Sequence, residues 1–159
     1  RPENTRASVQ GFGNVAQYAI RLYRQIGGTV VCVSSWDQGD QTSYSFRKST
    51  GIDPDELMAI TDRFGGIDKA KARDLGYEVL PGDAWLEKPV EILMPSAIEN
   101  QVREDNVGKI HSAVRLIAEA SGQVALQTSC APRAFYAAER LSTPMSTPAI
   151  FVTGGTFAK

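Results

Sequence analysis

Gln10-Gly11-Phe12-Gly13-Asn14-Val15-Ala16 lies between a short apolar run and a stretch of helical periodicity. Its spacing is the G-x-G-x-x-G/A pattern of a strand-to-helix turn that takes the pyrophosphate of a dinucleotide. Gly11 suits the tight turn. Gly13 lets the backbone approach the phosphates with no Cβ in the way, and Ala16 is small enough for the helix to pack closely on the strand. The anion would sit at the helix amino terminus, where N–H groups and the positive dipole end point outward. Alone, the pattern is weakly specific, so its neighbours decide its meaning.

Ala7-Ser8-Val9-Gln10 reads as a short strand running into the glycines. Over residues 14–25, Val15, Ala19, Leu22, Tyr23 and Ile26 recur at helical spacing and predict the inward line of a helix. Gly27-Gly28 should stop that helix. Thr29-Val30-Val31-Cys32-Val33-Ser34 has the β-branched, small apolar texture of a strand buried on both faces. Together these take about 30 residues, the length of one βαβ unit. Asp37 stands past the second strand, where NAD sites place an acid on the adenosine ribose. It reads equally as a solvated loop carboxylate. Ser34 and Ser35 fill the nearer positions and tolerate a 2′-phosphate, so the stretch suits NAD or NADP.

Residues 38–51 are polar and predict an excursion at the sheet edge. Asp53-Pro54-Asp55-Glu56 opens a helix well, with a capping acid, a proline at the first turn and further acids there. That helix is expected to reach Gly65-Gly66, with another short one over residues 68–75 and a brief strand over 77–80. Val90-Glu91-Ile92-Leu93-Met94-Pro95 is the next buried strand, leading into Ser96-Ala97-Ile98-Glu99-Asn100-Gln101. In a doubly wound sheet this loop faces the glycine turn. Small Ser96 and Ala97 would let a ribose and nicotinamide lie against the backbone, and Asn100 both donates and accepts. An ordinary strand-to-helix cap fits the same residues. A short helix over 104–110 and a strand over 114–118 follow. Past residue 120 the texture changes: 121–131 has no clear period, 132–141 reads as a helix with Phe135, Ala138 and Leu141 inward, and 149–153 as a last strand. The alternation predicts an α/β fold, a three-layer Rossmann-type doubly wound sheet that is mainly parallel.

The 159 residues fit one domain with a real core. Seventeen basic against 18 acidic residues leave no electrostatic footprint for nucleic acid or an anionic membrane. No apolar run approaches the ~20 residues that span a bilayer. Cys32 and Cys130 match no metal or redox spacing, and His111 is the sole histidine. Reduced thiols in the cytoplasm, no metal and no histidine-based catalysis are therefore expected.

Three stretches together resemble one family. Val9-Gln10-Gly11-Phe12-Gly13-Asn14-Val15-Ala16-Gln17 is similar to the glycine turn of the glutamate, leucine, phenylalanine and valine dehydrogenases. Ile92-Leu93-Met94-Pro95-Ser96-Ala97-Ile98-Glu99-Asn100-Gln101 resembles the next cofactor-contacting strand and loop, where alanine usually stands at the Ser96 position. Ile117-Ala118-Glu119 resembles the strand after it. The likeness covers about residues 3 to 120, and Ala97-Ile98-Glu99-Asn100-Gln101 points to the glutamate enzyme and its carboxyl-terminal NAD(P)-binding domain.

The resemblance implies that Gly11, Phe12, Gly13, Asn14 and Val15 hold the pyrophosphate, that Ser35 and Asp37 read the adenosine ribose, and that Ser96, Ala97 and Asn100 lie beside the nicotinamide half of NAD or NADP. It implies the oxidative deamination of glutamate to 2-oxoglutarate. The family's substrate lysines and proton-moving aspartate belong to an amino-terminal domain that no stretch here resembles, so no catalytic residue is expected. Residues 1–159 read as a single dinucleotide-binding domain, with 1–5 a linker or cut boundary and 121–159 a divergent closing segment. Ser121 stands where the family has an asparagine against the nicotinamide. The chain alone is expected to bind cofactor without turnover, as a monomer rather than the family's hexamer, with a glutamate-binding domain as its missing partner. A folded scaffold that no longer binds nucleotide, and an interaction module pairing with a separate catalytic domain, are the other readings.

Overall fold

The computed structural model describes residues 3–97, 101–103 and 105–118. Strand β1 (Arg6–Gln10), helix α1 (Asn14–Gln25) and strand β2 (Thr29–Asp37) make the expected βαβ unit. β1 and β2 pair in parallel from Arg6↔Thr29 to Gln10↔Ser34, with one irregularity between Ala7 and Ser8. Two glycines end α1 for different reasons. Gly27 has φ +93, the left-handed region that favours glycine, and its N–H donates to the Arg24 carbonyl. A Cβ on Gly28 would lie 2.3 Å from the Tyr23 ring, so that position admits no side chain.

After β2 the chain turns back rather than crossing over. Strand β3 (Thr42–Arg47) pairs antiparallel with β2, and β4 (Glu78–Pro81) antiparallel with β3. A parallel return needs a dozen or more residues, and the turn between Asp37 and Thr42 is far shorter. Asp37 itself builds that turn: its Oδ1 accepts the N–H groups of Gly39 and Asp40 at 2.9 and 3.0 Å. Between β3 and β4 lie helices α2 (Pro54–Met58) and α3 (Lys69–Asp74), capped by the side chains of Asp53 and Asp68.

A 3₁₀ turn (Gly82–Trp85) then carries the chain across the sheet to β5 (Ile92–Pro95), parallel to the other side of β1. β6 (Leu116–Ile117) adds in parallel beyond it. The strand order is β4-β3-β2-β1-β5-β6, a Rossmann-like α/β sheet with two antiparallel pairings, β2–β3 and β3–β4, at one edge. Apolar residues fill both faces. On one, Ala7, Val9 and Val33 meet Ala16, Ile20 and Tyr23 of α1, Leu57 of α2 and Ala72 of α3. On the other, Cys32 and Leu93 meet Trp85, Leu86, Val90 and Val114. Burial pushes the Cys32 thiol up to about 11, so it stays protonated and inert.

Several elements differ from the sequence reading. The line of α1 that faces the sheet is Ala16, Ile20 and Tyr23, while Val15, Leu22 and Ile26 are exposed. Both lines are apolar at helical spacing, and packing against the sheet takes Ala16, Ile20 and Tyr23, while Arg21 and Arg24 pair with Asp55 of α2 and its N-cap Asp53. α2 ends at Met58, well short of Gly65-Gly66. Thr61 Oγ1 donates to the Leu57 carbonyl, and Asp62 Oδ1 takes the N–H groups of Phe64 and Gly66. Such local side-chain bonds compete with a helix. The stretch over 104–110 contains only a 3₁₀ turn (Val107–Lys109), and β6 is two residues long. Residues 98–100, 104 and 119–159 are outside the described residues, and with them the expected helix over 132–141 and strand over 149–153.

Two outcomes follow from this packing. Ile20→Ala should cost about 2–5 kcal/mol and exposed Leu22→Ala no more than about 0.5 kcal/mol in urea unfolding; equal losses would contradict the helix rotation. Glu56 accepts from Lys48 Nζ at 2.8 Å and from the Tyr77 hydroxyl, and Lys48 first, then Tyr77, holds its carboxyl below the ordinary range. Because the folded value is depressed, the contribution is whole above the unfolded value of about 4.3 and is lost as pH falls through the folded one. The unfolding temperature should therefore drop on acidification below about pH 4, and Glu56→Gln should remove part of that drop. An unchanged acid profile in Glu56→Gln would contradict it.

Candidate functional site

Two loops leave the sheet at the same level. β1 ends at Gln10 and β5 at Pro95, and these two residues are register partners. The glycine turn follows one and Ser96-Ala97 the other. Gln10 joins them: its carbonyl accepts the Ser96 N–H at 2.8 Å, and its Oε1 accepts the Ala97 N–H at 3.2 Å. From β1 the chain runs through α1 towards β2, whereas β5 leads away to β6. The carboxyl end of β1 is thus the switch point of the sheet, where ligands bind in open α/β folds.

Each residue of the turn has a distinct setting. Gly11 has φ +98, and its N–H donates to the Ser34 carbonyl at 2.8 Å. A Cβ there would lie 2.6 Å from the Ala97 Cβ, so this position is closed to any side chain by both backbone and space. Phe12 is buried in the core beneath the turn, and its carbonyl accepts from Gln17 Nε2 at 3.0 Å. Gly13 is the N-cap of α1, with nothing within 4 Å of the place a Cβ would take. Asn14 and Val15 are exposed in the first turn of the helix.

α1 differs from the other helices at its start. α2 and α3 satisfy their first N–H groups with Asp53 and Asp68, but α1 has no side-chain cap and no acid in its first turn. Among the described residues no acceptor meets the N–H groups of Gly13, Asn14, Val15 or Ala16. These donors, the positive end of a 12-residue helix and the open space over Gly13 form a surface suited to an anion.

At the end of β2, Ser35 Oγ donates to the Gly65 carbonyl at 3.0 Å, tying the strand to the loop before α3. Asp37 lies further along the strand. Besides its two bonds to the hairpin backbone, its Oδ2 accepts from Lys69 Nζ at 2.6 Å. Lys69, ahead of the hairpin bonds, holds the Asp37 carboxyl below its ordinary value. Lys69 also donates to Asp40 Oδ2 at 2.9 Å. Ser96 is buried and donates to the Met94 carbonyl at 3.2 Å, whereas Ala97 is exposed beside Gly11. The fold thus brings Gly11–Val15, Ser96 and Ala97 together and sets Ser35 and Asp37 at the neighbouring strand end. Asn100 is outside the described residues. Sequence reasoning missed Gln10 and Lys69. Gln10 directly precedes the glycines and offered a local signal, but Lys69 is 32 positions from its partner and offered none.

Among the described residues no helix is long and apolar enough to cross a membrane, and no group of three His, Cys, Asp or Glu side chains comes together to hold a metal.

Residues 1–139 match the family model for glutamate, leucine, phenylalanine and valine dehydrogenases. The NAD-specific glutamate dehydrogenase of Peptoniphilus asaccharolyticus is 28% identical over 119 residues, which is 75% of this chain and 27% of that protein. A cryptic catabolic NAD-specific glutamate dehydrogenase of Bacillus subtilis is 30% identical over 125 residues, covering 79% of this chain and 26% of that one. The chain therefore spans about a quarter of the length of these curated relatives. The crystal structure of Plasmodium falciparum glutamate dehydrogenase superposes with a TM-score of 0.63 at 19% identity, over 76% of this chain and 26% of that one, a likeness of fold. With most of its length matched by the family model and the glycine turn set against Ala97 at the switch point, the chain belongs to the glutamate/leucine/phenylalanine/valine dehydrogenase family.

Proposed function

We propose that residues 1–159 form the NAD(P)-binding domain, carboxyl-terminal in the family's order, of a glutamate dehydrogenase. The observation that carries this reading is the uncapped start of α1 beside Gly13, facing the Ser96-Ala97 loop across the switch point. A pyrophosphate fits there, because the cradle offers unpaired N–H donors and no Cβ at its centre. In this reading the Gly13, Asn14 and Val15 N–H groups hold the pyrophosphate, with Gly11 shaping the turn and Phe12 anchoring it to the core. Ser35 and Asp37 meet the adenosine ribose, and Ser96, Ala97 and Asn100 border the nicotinamide half. The cofactor would supply the hydride chemistry of glutamate oxidation to 2-oxoglutarate, and this chain the binding and orientation.

The named relatives are NAD-specific glutamate dehydrogenases, which supports the cofactor class and the substrate. The groups that bind glutamate and move its protons would come from a second domain, so residues 1–159 bind cofactor without turnover. We place this unit in the cytoplasm as a monomer, with 121–159 as its closing segment.

NADH fluorescence measures this directly. Residues 1–159 should enhance NADH emission saturably and show no glutamate oxidation. Gly13→Ala should weaken NADH binding about tenfold or more, about 1.4 kcal/mol, while keeping a cooperative thermal transition, because its Cβ meets only open space. Unchanged emission, or a Gly13→Ala variant that binds as well as the parent, would contradict the cradle. Robust turnover would contradict the need for a second domain.

A further inference from the structure

Lys69 is the first residue of α3, and its ammonium is the centre of a four-residue cluster at the carboxyl end of β2. It donates to Asp37 Oδ2 at 2.6 Å and to Asp40 Oδ2 at 2.9 Å, and lies 4.5 Å from the centroid of the Tyr44 ring. The Tyr44 hydroxyl donates to Asp40 Oδ2 at 2.6 Å. Two carboxylates face a single ammonium, so the cluster carries an excess negative charge. Asp37 Oδ1 has both lone pairs engaged by the hairpin, but Oδ2 retains one beyond its bond to Lys69. Asp37 stands on the same strand as Ser34, whose carbonyl holds the Gly11 N–H, two residues past Ser35. Asp37 and Lys69 also line an open cleft of about 660 Å³, together with Thr61, Asp62 and Gly66.

We propose that Lys69 decides how this chain discriminates the adenosine ribose: held by Asp37 and Asp40 it is withheld from a 2′-phosphate, so NAD is taken over NADP. The inference rests on the reading of the glycine turn as a dinucleotide site. A 2′-hydroxyl donates to the free lone pair of Asp37 Oδ2. A 2′-phosphate brings further negative charge against two carboxylates and finds the Lys69 ammonium already bonded to both. Relieved of both acids, the same ammonium becomes a point-charge partner for that phosphate. The direction of the shifts agrees: the two carboxylates raise the Lys69 ammonium above its ordinary value, Asp37 first.

The test measures NADH and NADPH dissociation constants on the full chain, on Asp37→Asn/Asp40→Asn, and on that double variant with Lys69→Met. Asparagine keeps an acceptor for the Gly39 and Asp40 N–H groups and for the Tyr44 hydroxyl, so the hairpin is preserved. The parent should favour NADH at least tenfold. The double variant should raise NADPH affinity relative to NADH at least tenfold, with a gain that shrinks as salt rises, and Lys69→Met should abolish it. A purely structural Lys69 would change both affinities together. A ratio unmoved in the double variant, or a gain that survives Lys69→Met, overturns the role of Lys69 and leaves the dinucleotide site standing. A parent chain that binds neither nucleotide overturns both.

Discussion

The backbone of Gly11 is held from two sides. Its N–H donates to Ser34 on β2, and the space its missing Cβ leaves is filled by Ala97 from the loop after β5. Any side chain at this residue would collide with Ala97 in the loop after β5, and its φ of +98 is itself strained for an L-residue. Everything that makes the site depends on this closeness. It aims the start of α1 outward, it places Ser96-Ala97 beside the turn, and it leaves Gly13 facing open space. Gln10 reinforces the contact by accepting hydrogen bonds from both residues of the opposite loop.

The same tight end explains the division of labour along α1. Its amino terminus carries no cap and no acid, which costs a free helix end some stability. The loss is offset by burial of Ala16, Ile20 and Tyr23 on the sheet and by the ion pairs of Arg21 and Arg24 with α2. The helices α2 and α3, which have no such burden, are capped conventionally by aspartates. Stability is therefore drawn from the carboxyl half and buried line of α1, and its first turn is left to meet a ligand.

The order of strand, helix and strand in the first βαβ unit was legible in the sequence, because its strand texture, glycine spacing and terminating Gly27-Gly28 all act locally. The capping role of Asp53 was legible for the same reason. What was not legible depends on distant partners. Two apolar lines run along α1, and which one faces the sheet is decided by packing against residues distant in sequence. The end of α2 is set by Thr61 and Asp62 bonding their own backbone, which breaks a pattern that periodicity alone extends to Gly65. Asp37 read as a ribose acid or a loop carboxylate. In the fold it builds the β2–β3 hairpin and grips Lys69, a partner no spacing rule would have supplied.

The central claim is that the turn after β1 and the loop after β5 form one dinucleotide cradle. Amide chemical-shift mapping of the full chain during an NADH titration tests it most directly. The account predicts that Gly13, Asn14 and Val15 shift together with Ala97, saturating at one common dissociation constant. Shifts confined to the opposite end of the sheet, around the cleft of about 310 Å³ bordered by Thr29, Lys48 and Glu56, or no shifts at all, would contradict it.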